Sequence, residues 1–596
     1  MKRFLYISLL SLSLTSVVTS CDLDAPAQSA MEEQNLFTVK ELAEAAVMGV
    51  HQSFGETNSY RGRFLPYYGI NSDVEWINNM EPTKIADDNK YELCTFAARP
   101  TNGQMNTSNN AWAKFYEGIE RANLCIRGLE TYSDLDNPNF AQLLGEAITL
   151  RAVLYLDLIK GWGDVPARFE PNSSETVYLP RTDRDEIYLR LLSDLERAAT
   201  LVPWPNGSTE TKSTERINRA FVKGLRARIA LYAAGYSQRA DGVRRSTNPE
   251  LTVEKMYTIA KNECEDIIKN SGCKLGGFKD NFTKLCQDNT TAGGESLWEI
   301  PFSDGRGRVL YTFGVKHQAA DQYTQQAQGG VNGPLPHLFY DYDVEDIRRD
   351  ITCVPYEWSK ELTDGKSKQE LRSLKSWCFG KLRYEWMGRI VTSTNDDGVN
   401  WQYMRLADVY LMAAEAINEL DGNPSNAAQY LKPILDRALP AAKVTAYMSS
   451  VTASHDAFFN AIVDQRALEF AGESLRKADL IRWNLLKAKL DEAKTKMAKL
   501  INGDAPYDDL PQSLYYKYKE DGETLDIYGL NHGETDAIGA TKVTASGYTK
   551  SSWRDKADKL PQALIDALYQ KNPDENQYWP IWQTFVDSSN GTLSNN

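Results

Sequence analysis

The chain has 596 residues, of which 42% are hydrophobic, 25% charged and 11% aromatic, so its composition is that of an ordinary globular protein. Its formal net charge of −14 argues against non-specific binding of nucleic acid and against electrostatic adhesion to anionic lipid. No run of about eighteen apolar residues follows residue 20, which argues against a transmembrane helix in the mature chain.

The first residues have the pattern of a bacterial lipoprotein signal. Lys2-Arg3 is basic, Phe4–Val18 is apolar and rich in hydroxyls, and small residues then lead to Cys21. We predict a signal peptide over residues 1–20, a lipobox whose Cys21 thiol takes a diacylglycerol, and a lipidated tether over residues 21–37. Acyl chains contribute about 0.8 kcal/mol per buried methylene, so a triacylated Cys21 would anchor the protein firmly. The alternative is a secreted protein with a chance cysteine.

Residues 38–271 are predicted to form helices in pairs. Apolar residues recur every three or four positions, and glycine, proline or capping residues end the runs. Each pair spans about 35 to 45 residues, close to the length of a tetratricopeptide repeat. Glycines and Pro166 are expected to end the third helix in a tight turn. The predicted helices are Thr38–Phe54, Asn110–Leu129, Gly145–Trp162, Asp183–Leu201, Ile217–Tyr236 and Leu251–Asn270.

Residues 272–400 change in character and are predicted to form a loop-rich insertion lobe. Glycine, aspartate, threonine and aromatic residues are frequent there, and Glu295–Pro301 is a short predicted strand. Helical patterns return in residues 401–596, which end in an irregular tail. The predicted C-terminal helices are Met404–Leu420, Pro424–Ala438, Asp456–Ala471 and Leu475–Leu486.

Four blocks of this sequence together resemble the SusD/RagB family of surface lipoproteins. They are Gly145–Pro166, Arg219–Tyr236, Met404–Leu420 and Val463–Trp483, and a terminal Tyr-Trp-Pro-Ile at 578–581 adds to them. The sequence departs from the family pattern at Gln465, where an acid is usual, and at Ser474, where glycine is usual. The ion pair at the first of these positions is therefore in doubt.

The resemblance implies an all-α fold, a superhelix of four tetratricopeptide-like pairs with the loop-rich lobe packed on it. It also implies a lipid-anchored protein on the extracellular face of the outer membrane. Such a protein binds oligosaccharide and delivers it to a SusC-like TonB-dependent β-barrel transporter. Some relatives serve peptide import, so a peptide ligand is an alternative.

No motif for catalysis is evident. The zinc-protease, serine-hydrolase and phosphate-loop patterns are missing from the sequence, and its five histidines are widely separated. We therefore expect no catalytic residue, cofactor or metal site, and we interpret Asp396-Asp397-Gly398 as a turn rather than a calcium site. A secreted glycoside hydrolase is the less favoured alternative, because acids brought together only by the fold would leave no local motif.

The ligand site is predicted on the loop Tyr67–Asn79, where Trp76 lies outside any helical stripe among short polar residues. A ring that stacks on the apolar face of a sugar beside amides and carboxylates that bind hydroxyls is typical of sugar recognition. The family also uses loops of this region for sugar. The alternative is that Trp76 only plugs the loop onto the body. The candidate residues are Tyr67, Asn71, Asp73, Trp76, Asn78 and Asn79, with Tyr311, Tyr323 and Trp358 from the insertion.

The alternating charges of Val463–Trp483 are predicted to be structural. Acidic and basic residues recur there at the spacing of helical neighbours, which is typical of a solvated or interhelical charge network. The residues are Arg466, Glu469, Glu473, Arg476, Asp479 and Arg482.

Overall fold

The computed structural model describes residues 33–595, except residues 79, 82, 84–87, 303–304, 362–364 and 556. Cys21 and Asn79 lie outside the described residues.

Helices dominate the described part of the chain. In chain order they are α1 Glu33–Thr38, α2 Lys40–Gly55, α3 Asn89–Cys94, α4 Ala111–Tyr132, α5 Pro138–Trp162, α6 Arg184–Leu201, α7 Arg219–Ala234, α8 Val253–Asn270, α9 Phe278–Cys286, α10 Val309–Phe313, α11 Leu338–Asp341, α12 Arg348–Thr352, α13 Leu406–Asp421, α14 Pro424–Asp436, α15 Ala441–Val451, α16 His455–Phe470, α17 Arg476–Arg482, α18 Leu486–Asn502, α19 Asp536–Ser546, α20 Gln562–Asp566 and α21 Gln583–Ser588.

The strands are short and form small antiparallel sheets. Pairs form between β1 and β5, β2 and β3, β4 and β10, β6 and β9, and β7 and β8, and β11 lies between β12 and β13. The strands are β1 Glu75–Ile77, β2 Ser237–Arg239, β3 Gly242–Arg244, β4 Ser296–Ile300, β5 Asn332–Pro334, β6 Cys353–Val354, β7 Tyr356–Trp358, β8 Gln369–Leu371, β9 Cys378–Phe379, β10 Trp401–Arg405, β11 Ser513–Tyr518, β12 Leu525–Tyr528 and β13 Thr549–Ser552.

Successive helices pack against one another and form the predicted superhelix. Helix α4 packs on α5, α5 on α6, α6 on α7 and α7 on α8. The series then passes over the insertion, because α8 packs on α13 and α13 on α14. The all-α superhelix of helix pairs is thus confirmed.

Helix α5 is the central helix of the N-terminal half. It ends as predicted at Gly163, whose φ of 74° is a left-handed conformation that glycine adopts without strain. The sequence predicted one buried stripe, but α5 is buried on nearly all sides because α2, α4 and α6 pack around it. Its buried charges are therefore paired. Arg151 bonds Asp194 at 2.8 Å, and Glu146 bonds Arg216 at 2.8 Å.

Nine of the ten predicted helices are present, with ends shifted by at most seven residues. One prediction was too long, since Leu475–Leu486 is the short helix α17 followed by a separate helix, α18. The C-terminal part was predicted to be mostly irregular, yet β11, β12 and β13 form a three-stranded sheet there, and α19 packs on β11.

The alternating charges of Val463–Trp483 form an interhelical network that is buried rather than solvated. Glu469, which is 0% exposed, bonds Arg348 at 2.9 Å and Arg405 at 2.6 Å. Arg466 bonds Asp408 and Asp479 at 2.6 and 2.7 Å. Breaking one such buried pair leaves an uncompensated charge, which typically costs about 3–5 kcal/mol.

Candidate functional site

The loop that contains Trp76 is part of the core. Residues Glu75–Ile77 form β1, which pairs with β5 so that Trp76 lies opposite Gly333. The side chain of Trp76 is 0% exposed. The ring is therefore not exposed for stacking on a sugar, and its burial fits the alternative interpretation, in which it fixes the loop to the body.

The polar neighbours of Trp76 bond to the protein itself. Asn71 donates to the backbone oxygen of Leu568 at 3.0 Å, and Asn78 donates to that of Trp377 at 2.9 Å. Asp73 accepts two hydrogen bonds from Arg476, at 2.8 and 2.7 Å. Each of these three side chains is buried, so their exposure to sugar hydroxyls, as the sequence predicted, is not found.

Two aromatic residues of the insertion belong to a second, smaller hydrophobic cluster. Trp358 is 2% exposed and packs with Val315, Val354 and Cys378. Its indole nitrogen donates to Glu385 at 2.9 Å, and the partly exposed ring of Tyr323 lies 5.1 Å from its ring. Trp358 is therefore a packing residue, while Tyr323 keeps part of its ring at the surface.

The remaining predicted residues, Tyr67 and Tyr311, lie near the same arginines, but Tyr67 is only 7% exposed and belongs to the core, whereas Tyr311 is partly exposed. Arg308 lies over the ring of Tyr311, with 4.3 Å between the guanidinium carbon and the ring centroid. Burial raises the pKa of Tyr67 to about 12, whereas the positive charges of Arg63 and Arg308 act to lower it. We call Arg61, Arg63, Tyr67, Arg306, Arg308 and Tyr311 the arginine–tyrosine surface.

Two Arg-Gly-Arg segments supply the arginines of this surface. The first, Arg61-Gly62-Arg63, lies in a π-helical turn, Tyr60–Phe64. A Cβ atom at Gly62 would lie 2.3 Å from the backbone oxygen of Thr57, so only glycine fits that turn. The second, Arg306-Gly307-Arg308, precedes α10, and Gly307 has a φ of 111°.

An acidic turn fixes the second Arg-Gly-Arg segment. Asp397 accepts hydrogen bonds from the backbone nitrogens of Leu310 and Tyr311 at 3.0 and 3.3 Å. Asp396 accepts one from Gly305 at 2.6 Å, and Gly398 donates to the backbone oxygen of Arg306 at 2.9 Å. Burial raises the pKa of the Asp397 carboxyl to about 7, although its backbone hydrogen bonds oppose that rise.

The arginines were not predicted as ligand residues, because sugar recognition was expected from aromatic residues that lie beside amides and carboxylates. The signal that was available is the repeated triplet Arg-Gly-Arg, at 61–63 and at 306–308, in a chain whose net charge is −14. Nothing in the sequence indicates that the two triplets meet, since 242 residues lie between Arg63 and Arg306.

The protein also has two cavities whose lining residues differ from those of the arginine–tyrosine surface. A polar cavity of about 270 Å³ lies beside the Asp73–Arg476 pair and includes His337, Gln465 and Lys496. A groove of about 440 Å³ is lined by Trp112, Tyr116, Tyr178 and Phe585, among others. Of the predicted ligand residues, Asp73 lines the first cavity.

The described residues contain neither a membrane-spanning helix nor a group of side chains suited to a metal ion. None of their helices is both long enough and apolar enough to cross a membrane. In the same residues, no three His, Cys, Asp or Glu side chains group in a way that could hold a metal ion.

Two family models match opposite ends of the chain. A model described as the SusD family matches residues 380–596. A second, described as "Starch-binding associating with outer membrane", matches residues 23–231. The chain belongs to the SusD/RagB family. Residues 232–379 lie between the two matched ranges, and they include the second Arg-Gly-Arg segment.

Curated relatives of this SusD/RagB chain include two SusD-like proteins of Formosa agariphila. One is 25% identical over 74% of this chain and 82% of its own length. The other is 24% identical over 79% of this chain and 89% of its own length.

Solved structures of SusD-like proteins share the fold. A SusD homologue from Bacteroides thetaiotaomicron superposes with a TM-score of 0.64 at 20% identity, covering 78% of this chain and 90% of that one. Surface glycan-binding protein A from the same organism, in complex with laminarihexaose, gives a TM-score of 0.59 at 19% identity. It covers 93% of this SusD/RagB chain and 99% of its own. At these identities the likeness concerns the fold.

Proposed function

We propose that this protein is a cell-surface lipoprotein that binds oligosaccharide and delivers it to a SusC-like TonB-dependent outer-membrane transporter. The observation that carries the proposal is membership of the SusD/RagB family over both ends of the chain. A structural neighbour with the same helical fold is a surface glycan-binding protein whose complex contains laminarihexaose. Binding rather than catalysis fits a family whose matched model is described as starch-binding.

The arginine–tyrosine surface is the ligand site that we propose for this function. Tyr311 is partly exposed on a segment that the Asp396–Gly398 turn fixes. Ring faces attract the apolar C–H faces of sugars, and guanidinium N–H groups donate to sugar oxygens. A rigid backbone under such groups reduces the entropy lost when a ligand binds.

Titration of the purified mature protein with oligosaccharides tests the function. We expect calorimetric binding of at least one member of a panel of plant, algal and bacterial glycans, with no new reducing ends formed. Saturable binding of a peptide pool instead, with no response to glycans, would favour the peptide alternative. New reducing ends would favour a hydrolase.

Two tyrosine variants locate the site. Tyr311→Ala should weaken binding by about ten- to a hundredfold, which is the usual effect of removing a central aromatic contact. Tyr178→Ala is the matched control, because Tyr178 is 47% exposed and lines the separate groove beside Trp112. If the control weakens binding and Tyr311→Ala does not, the ligand lies in that groove.

The anchor and the transporter are tested in the native membrane. Cys21 is the proposed mature N-terminus, so Cys21→Ala should release the protein from the membrane fraction. Unchanged membrane association of that variant contradicts the anchor. Mild-detergent purification should recover a β-barrel partner, because a lid that retains ligand needs an interface above about 2,000 Å². Repeated recovery of the protein alone argues against a stable complex.

A further inference from the structure

The charge of the arginine–tyrosine surface differs from that of the whole protein. The chain carries 81 acidic and 67 basic residues, yet four arginines meet here. In the described part of the chain, none of these four guanidinium groups forms an ion pair with a carboxylate. This contrasts with the arginines of the superhelix, such as Arg405 and Arg466, which bond two or more carboxylates each.

Several of the guanidinium donors lack a protein acceptor. In Arg61, Nε and Nη1 are buried without a hydrogen-bond partner, and the same holds for Nε of Arg63. The bonds that these two side chains do form are local, to Thr57 and to the backbone oxygen of Gly62. The protein itself therefore leaves part of the hydrogen-bonding capacity of Arg61 and Arg63 unused.

The arginines are also close enough to repel one another. Burial lowers the pKa of Arg61, and the positive charges of Arg306 and Arg308 lower it further. The buried carboxylate of Asp397 accepts hydrogen bonds from backbone N–H groups of α10 and of Val399. The negative charges of Asp397 and Glu56 act in the opposite direction on Arg61, yet in the described part of the chain neither forms an ion pair with any of the four guanidinium groups.

We infer that the arginine–tyrosine surface is a subsite for an oxyanion carried by the saccharide, either the carboxylate of a uronic acid or a sulfate ester. The inference rests on the proposed function and adds the chemical class of the ligand. Guanidinium groups present planar pairs of donors that match carboxylate and sulfate oxygens, and such charge-assisted bonds are about twice as strong as neutral ones. An anion bound beside the exposed Arg306 and the partly exposed Arg308 would reduce the repulsion between these arginines and Arg61, and it would accept hydrogen bonds from their guanidinium groups.

Matched pairs of ligands test the inference. The first pair is tetragalacturonate and its fully methyl-esterified form, which differ in charge but share one backbone. The second pair is a sulfated galactan oligosaccharide and its chemically desulfated form. We expect the charged member of one pair to bind at least tenfold more tightly, with an affinity that falls as salt is raised from 50 to 500 mM, because screening weakens exposed charge interactions. The pair that responds identifies the source of the oxyanion.

Arginine variants assign the effect to this surface. Arg306 is exposed, so Arg306→Glu is expected to fold normally and to weaken binding of the charged ligand about tenfold or more. Arg308→Gln should do the same while leaving the binding of neutral ligand within about threefold. Arg197→Gln is the control, because Arg197 is 47% exposed on α6 and pairs with Glu130. Melting temperatures of all variants show that each one is folded.

Failure of the inference and failure of the proposed function give different results. Equal binding of the charged and neutral members of both pairs overturns the oxyanion subsite but leaves glycan binding intact. Charge-dependent binding that survives both Arg306→Glu and Arg308→Gln also overturns it, because the anion would then bind elsewhere. Binding of none of these ligands, together with no response to a wider neutral glycan panel, overturns the proposed function itself.

Discussion

Arg476 donates two hydrogen bonds to the carboxylate of Asp73, 2.8 Å from Nε and 2.7 Å from Nη2, across 403 positions of the chain. Arg476 is 3% exposed and Asp73 is 7% exposed, so the pair is largely buried. It joins the loop before β1 to the first turn of α17. The loop after the first helices is therefore fixed by the C-terminal half of the protein.

Breaking the Asp73–Arg476 pair is expected to destabilise the fold. Arg476→Gln should lower the free energy of unfolding by about 3–5 kcal/mol, because Asp73 is left charged and buried. The double variant Asp73→Asn with Arg476→Gln should lose less than the sum of the single variants, which urea unfolding of the full cycle measures. Strict additivity would contradict a direct coupling between the two side chains.

Removal of the Trp76 ring should affect stability rather than ligand binding. Trp76→Ala deletes a side chain that is 0% exposed and should cost about 3–5 kcal/mol. Below its melting temperature, the variant should keep its affinity for the identified ligand within about twofold. Tyr311→Ala is the matched comparison and should show the reverse pattern, with weak binding and little loss of stability. A large loss of affinity in folded Trp76→Ala would show that this ring contributes to ligand binding.

Ser474 occupies a backbone conformation that favours glycine. Its φ is 56°, and its hydroxyl is buried without a hydrogen-bond partner. Ser474→Gly should therefore raise the free energy of unfolding by about 0.5–1 kcal/mol, after the greater chain entropy of glycine in the unfolded state is counted. Ser474→Ala is the control, since it removes the hydroxyl but keeps the Cβ atom. Equal gains from both variants would mean that the hydroxyl, and not the backbone, is responsible.

The stability contribution of Asp397 should depend on pH. Burial raises the pKa of this carboxyl from 3.8 to about 7, so between these values the folded protein holds a proton that the unfolded chain has released. The contribution of Asp397 to the free energy of unfolding is therefore greatest at low pH and falls as the pH rises towards about 7. Asp397→Asn removes the titration. The free energy of unfolding of the wild type minus that of the variant should decrease from pH 5 to pH 8, as measured by urea unfolding at both values.

A constant difference between the wild type and Asp397→Asn across this range would contradict the raised pKa. Burial also raises the pKa of Glu75, to about 8. Glu75 is present in both proteins, so its titration cancels in the comparison.

The helical body could be predicted from the sequence because its signals are local. The spacing of apolar residues along α4, α5 and α13 selects one face of a helix. The ends follow from nearby residues, such as Gly163 with its positive φ after α5 and Gly422 after α13. Local patterns do not give the number of neighbours, so α5 was assigned a single buried face when three helices surround it.

Candidate binding residues were harder to predict because exposure is not a local property. Trp76 has no helical periodicity, which suggested a surface loop. The ring is buried because β5, more than 250 positions later, pairs with its strand. Asn71 and Asn78 were assigned to ligand for the same reason, yet their amides satisfy backbone groups at Leu568 and Trp377. Buried polar side chains need such partners, and only the fold supplies them.

The sequence by itself identified the family and the helix pairs, and it predicts the lipid anchor, because each depends on residues that are neighbours in the chain. The tertiary structure decided which aromatic rings are core and which are surface, and it brought Arg61 and Arg63 to Arg306 and Arg308. Contacts between distant segments follow from how the whole superhelix packs, and that packing depends on all of its side chains at once. The charge of the arginine–tyrosine surface, and with it the class of ligand that we propose, is therefore a property of the folded protein.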